Sequence, residues 1–60
     1  MTDKEYAIQT KTTKQAEEIA KNLKGVLFSD EDDTMFEARL TRDQVEALSK
    51  DKRIKYLSEL

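Results

Sequence analysis

Phe36-Glu-Ala-Arg-Leu-Thr-Arg-Asp-Gln-Val-Glu-Ala-Leu-Ser-Lys-Asp-Lys-Arg-Ile-Lys-Tyr-Leu57 reads as strand, capped helix, strand. Alternation sets the first element. Phe36, Ala38 and Leu40 point one way, while Met35, Glu37 and Arg39 point the other, which is the period of a half-buried strand. Thr41-Arg-Asp-Gln44 then has the spacing of a capping box, in which a hydroxyl and an amide satisfy the first orphan N–H groups of a helix. Val45 and Leu48 give that helix its apolar face, with Ala47 beside them, over about residues 42–50. Ile54 and Tyr56 alternate with Lys55 and Leu57 in a closing strand.

The first half has the same logic. Residues 5–10 alternate, with Tyr6 and Ile8 on one side and Ala7 and Gln9 on the other. Thr12-Thr-Lys-Gln15 is a second capping box, and Ala16, Ile19, Ala20 and Leu23 lie at helical offsets over about residues 14–24. Gly25 stands where a left-handed helix C-cap is wanted. Val26, Leu27 and Phe28 form a short strand, and the polar run 29–33 is a hairpin connection.

Strand, helix, strand, strand, helix, strand predicts an α+β fold of one domain over residues 1–60. It is a βαββαβ, ferredoxin-like sandwich with a four-stranded antiparallel sheet and both helices on one face. The sheet order is then fourth, first, third, second strand. Tyr6, Ile8, Val26, Phe28, Phe36, Ala38, Leu40, Ile54 and Tyr56 are expected on the covered face, with Ile19, Leu23, Val45 and Leu48 packed onto them.

Composition narrows the function. Sixty residues without cysteine form a small domain with no disulfide and no thiolate metal site. With no histidine as well, zinc binding and histidine acid–base chemistry are disfavoured, and no cofactor is expected. Thirteen acidic against eleven basic residues, interspersed, imply no nucleic-acid partner. No apolar run approaches the ~20 residues of a membrane span. Met1-Thr2-Asp3-Lys4 shows no basic leader before an apolar segment, so no signal peptide is visible. The expected location is cytoplasmic if the chain is complete, and otherwise unknown. The regular apolar spacing argues against disorder despite the high charge.

Four residues of outward parity, Ala7, Leu27, Met35 and Leu57, come one from each strand and form an apolar band across the uncovered face. Gln9, Glu37, Arg39, Lys55 and Glu59 are expected as its rim. A solvated sheet face normally carries polar residues there, and an apolar band with a charged border marks a docking surface. Single exposed aliphatics are common, and that is the bland alternative.

The segment 36–57, with Glu5-Tyr6-Ala7-Ile8, resembles the propeptide domain of subtilisin-like serine proteases and the related propeptide-like peptidase inhibitors. The resemblance covers the chain in outline and about its last 25 residues in detail. Its pattern is an aromatic-led strand, a helix with spaced Val and Leu ending in Lys-Asp-Pro-like residues, and a Val-x-Tyr-Val-like strand. Lys50-Asp51-Lys52 lacks the usual proline, and Ile54-Lys55-Tyr56-Leu57 is the strand counterpart. The resemblance implies a non-catalytic module that packs its open sheet face onto two surface helices of a protease, as inhibitor or folding chaperone. It implies contacts by Ala7, Leu27, Met35 and Leu57, with Glu37, Arg39 and Glu59 at the edge, and Glu59 and Leu60 nearest the substrate cleft. Ser58-Glu59-Leu60, read as a stub after the strand, reaches at most about 10 Å, so sheet docking carries over more readily than cleft blockade.

Other constellations are weaker. Asp30-Glu31-Asp32-Asp33 lacks the glycine and distal glutamate of a calcium hand and reads as a solvated turn. Ser29, Ser49 and Ser58 have no histidine to activate them, so enzyme activity is not expected. RNA recognition on this fold needs aromatics on the open face, and the alternation turns all four inward. Two rivals use the same face: an interaction protein that inhibits an unrelated enzyme, and a homodimer with sheets packed together.

Overall fold

The computed structural model describes residues 3–60; Met1-Thr2, half of the start read for a leader, lies outside them. The elements are β1 (Lys4–Thr10), α1 (Thr13–Ala20), β2 (Lys24–Phe28), β3 (Met35–Leu40), α2 (Arg42–Ser49) and β4 (Ile54–Glu59). The strands form one antiparallel sheet in the order β2-β3-β1-β4, with both helices on one face. This is the expected ferredoxin-like βαββαβ sandwich.

Both helix starts follow from their capping threonines. The Thr12 hydroxyl accepts from Gln15 N–H at 3.2 Å. At Thr41 the box is complete: Gln44 N–H donates to the Thr41 hydroxyl at 3.2 Å, and Thr41 N–H donates to Gln44 Oε1 at 2.8 Å. Helix α1 stops at Ala20, four residues short of the expected end. Asn22 N–H and Leu23 N–H bond back to the carbonyls of Ile19 and Ala20, tightening the last turn.

Gly25 does have a positive φ, 65°, but it does not cap the helix. It lies inside β2, where the register slips between Lys24 (opposite Arg39) and Leu27 (opposite Glu37). Gly25 and Val26 together span one residue of β3 there, and a bulge with a left-handed glycine supplies that extra residue. The slip leaves Lys24 and Leu27 on the open face and turns Val26 toward the core.

Ile8, Phe36, Ala38 and Leu40 form the buried sheet side of the core, met by Ala16, Ile19 and Ala20 from α1 and Leu48 from α2. Tyr6, Leu23, Val26, Val45, Ile54 and Leu57 pack around them. Thr10 is buried with its hydroxyl donating to Thr12 O at 2.7 Å, so its polar atom is not left unsatisfied.

The α2–β4 turn is built around Asp51 instead of proline. Arg53 N–H donates to Asp51 Oδ1 at 2.9 Å, and the Arg53 guanidinium grips the same carboxylate through Nε (3.0 Å) and a terminal nitrogen (2.6 Å). Its other terminal nitrogen lies 3.8 Å from Glu18, tying the turn to α1. The Arg53 side chain, and then its backbone N–H, hold the Asp51 carboxyl down at about 2. A depressed folded-state value makes this stabilisation complete above the unfolded carboxyl range near 4, and it drains away as pH falls toward 2. Asp51→Asn is expected to flatten the melting temperature's dependence on pH across that window and to cost at most about 1 kcal/mol at neutral pH. Thermal melts from pH 2 to pH 7 provide the check, and an unchanged acid slope would show that Asp51 is not coupled to folding.

Candidate protein-docking face

The helices leave one side of the sheet open, and the register assigns its residues. One row across the strands is Leu27, Glu37, Ala7 and Ser58. Beside it lie Met35, Gln9 and Tyr56. On the other side lie Lys24, Arg39 and Glu5, and Leu60 N–H donates to Glu5 O at 2.9 Å to extend that row. Leu27 is 67% exposed, Leu60 62% and Tyr56 49%, while Ala7 and Met35 are half-buried between them.

Six of the eight residues expected at the site are therefore brought to this face: Ala7, Leu27, Met35, Glu37, Arg39 and Leu60. Two are not. Leu57 pairs with Ile8 and packs against the core, and Glu59 pairs with Tyr6 on the covered side, where its carboxylate lies 3.5 Å from Lys4 Nζ. Tyr56, expected in the core, takes the open-face position instead.

The cause is a slip in β4. Gln9 pairs with Tyr56, but Thr10 pairs with Ile54, so Lys55 is the extra residue. Both Ile54 and Leu57 then face the helices, three residues apart, and strand phase inverts beyond the bulge. The inversion seats two aliphatic side chains inward and leaves the Tyr56 phenol in water, where its hydroxyl can be solvated. The spacing Ile54-x-x-Leu57 was the available signal, since strict alternation cannot bury both.

Ser58 and Glu59 also belong to β4, so they are not a free stub after the strand. At the far end of the face, Gln9 Nε2 donates to Asp32 Oδ2 at 3.2 Å. Asp32 also accepts from Thr34 N–H at 2.9 Å and from the Thr34 hydroxyl. These bonds, the hydroxyl's first, hold the Asp32 carboxyl below its ordinary range. Asp32 therefore shapes the hairpin as an Asx turn, and the acidic run acquires a structural role.

Ala7, Leu27, Met35 and Glu37 also line a shallow depression of about 350 Å³ near β2 and the hairpin. The exposed apolar side chains of the face thus stand on or beyond its edge strands, Leu27 on β2, Tyr56 on β4 and Leu60 after it, while the inner strands carry half-buried Ala7 and Met35 together with the exposed charges of Glu37 and Arg39. Among the described residues no helix is long and apolar enough to cross a membrane. Comparison of the chain with family models, curated proteins and solved structures finds no match.

Proposed function

We propose that this chain is a non-catalytic protein-binding module that docks through its open sheet face, and that its partner is a subtilisin-like serine protease, which it inhibits or helps to fold. The observation that carries the docking is the placement of Leu27, Tyr56 and Leu60, each about half exposed or more, around Ala7 and Met35 on the one face that the helices leave bare. The resemblance of residues 36–57 to protease propeptides supports the choice of partner. Tyr56 replaces Leu57 in the proposed contact, and Glu59 drops out of it. Glu37 and Arg39 stay in it, but on the inner strand β3 and not at its border.

Burying this band removes apolar area worth about 25 cal/mol per Å² from water. Because the unfolded chain has no sheet face to offer, a partner also stabilises the fold, by about 2.7 kcal/mol at a hundredfold excess over Kd. The contact proposed is sheet docking rather than occupation of the cleft, since the residues expected nearest the cleft are part of the ladder or bonded to it.

Titration against a panel of subtilisins tests the reading. A stable complex at about micromolar concentration, with activity lost or refolding accelerated, is the expected result. No complex and no inhibition across the panel removes the protease from the proposal. Sedimentation of the free chain addresses the face-to-face dimer, and a monomer at all concentrations excludes it.

A further inference from the structure

The open-face depression has a chemistry of its own. Its apolar lining includes Ala7, Leu27 and Met35, and Asp30, Glu37 and Ser29 also line it. No lysine or arginine lines it. Among the described residues neither Asp30 nor Glu37 makes a salt bridge, and the cations nearest Glu37 on its own face, Arg39 and Lys24, stand in the neighbouring row, where Arg39 lies opposite Glu5. At about 350 Å³ the depression lies at the low end of the range for ligand sites, which is room for one long side chain and not for a folded element.

Two carboxylates without a cation beside an exposed leucine restrict what can fill this space. A purely aliphatic side chain would strip water from the carboxylates and give no hydrogen bond in return. An acidic side chain would be repelled. An arginine satisfies both parts of the site. Its methylene stem covers Leu27 and Met35, and its guanidinium, with five donors, addresses the carboxylates that share the lining with them.

We propose that the depression between β2, β3 and the hairpin is the anchor pocket for an arginine side chain presented by the docking partner, with Leu27, Met35 and Ala7 receiving the stem and Glu37 and Asp30 the guanidinium. The proposal rests on the reading of the open face as a docking surface and adds the chemistry of what it recognises. Lysine is a weaker ligand of the same pocket, because its compact ammonium lacks the planar fork of donors that a guanidinium offers to carboxylates.

The test uses isotope-labelled chain and the probe acetyl-Gly-Arg-Gly-amide, followed by amide chemical shifts. A second peptide carries citrulline, which has nearly the same shape without the charge. Arginine is expected to move the amides of Ala7, of residues 27–30 and of residues 35–37, with a Kd on the order of millimolar. Citrulline should bind about fivefold more weakly or less. Glu37→Gln should weaken the arginine peptide about two- to fivefold, in line with a solvent-exposed ion pair, while amides outside the depression keep their positions and so report an intact fold. Three results would each overturn the proposal: no shifts at these amides, equal binding of citrulline and arginine, or a Glu37→Gln chain that binds as well as the original. Shifts of the same amides on dilution without peptide would also overturn it, since a second copy of the chain would then occupy the pocket. Failure here is distinct from failure of the protease reading. A subtilisin complex that forms although arginine does not bind removes only the anchor, whereas arginine binding without any subtilisin complex removes only the protease.

Discussion

Phe36→Ala is expected to leave the chain largely unfolded at 25 °C. Phe36 is 2% exposed, at the covered side of β3, the strand that joins β2 to the rest of the sheet. Its ring lies 5.1 Å from that of Phe28, tilted by 35°. Truncating a buried phenylalanine costs about 3–5 kcal/mol, partly as lost transfer energy and partly as a cavity. A core in a chain of this size supplies about the same amount in total. No disulfide limits the unfolded ensemble. Far-UV circular dichroism and urea titration provide the check. Phe28→Ala removes the other ring of the pair, but Phe28 is 37% exposed on an edge strand, so that variant should stay folded with a lower midpoint. Cooperative unfolding of Phe36→Ala within a few degrees of the unsubstituted chain would place the core elsewhere.

Leu57→Ala and Tyr56→Ala should have opposite consequences, although the residues are neighbours. Leu57 lies opposite Ile8, the fully buried centre of β1, and packs on the core, so its truncation should cost about 2 kcal/mol or more and lower the melting temperature by roughly 10 °C or more. Tyr56 faces solvent on the open side, and its removal should change stability by no more than about 0.5 kcal/mol. Partner binding should show the reverse. An exposed aromatic on a docking face is the kind of residue whose loss costs about 2 kcal/mol of affinity, roughly thirtyfold. Leu57→Ala, measured where it remains folded, should bind nearly as well as the original. The same dissociation with the two residues exchanged would restore strict alternation in β4.

The order of elements is legible in the sequence because each carries an independent local signal. Thr12 and Thr41 mark helix starts through side-chain geometry that needs no tertiary context, and the structure uses both. Phe36, Ala38 and Leu40 alternate without interruption, and β3 is regular along its length. Sheet order then follows from handed connections. What local pattern hides is a bulge, because the inserted residue leaves no mark on composition. At Gly25 a left-handed residue was visible, but helix ends and strand bulges need the same conformation, and only the register with Arg39 and Glu37 distinguishes them. In β4 the inserted Lys55 inverts every side chain after it, so Leu57 and Glu59 leave the candidate site and Tyr56 enters it. The same inversion puts Leu60 opposite Glu5 on the open face, and the rest of the site lies in β1, in β3 and at Leu27, where the expected phase is the observed one.

Hydrogen exchange of the chain, alone and with an equimolar subtilisin-like protease, is the measurement that bears most directly on the account. Binding should raise protection everywhere by the uniform amount that linkage supplies, and beyond it at the strands around Ala7, Leu27, Met35 and Tyr56, while α1 and α2 gain only the uniform part. Protection beyond the uniform part on the helices, and not on these strands, would contradict the account.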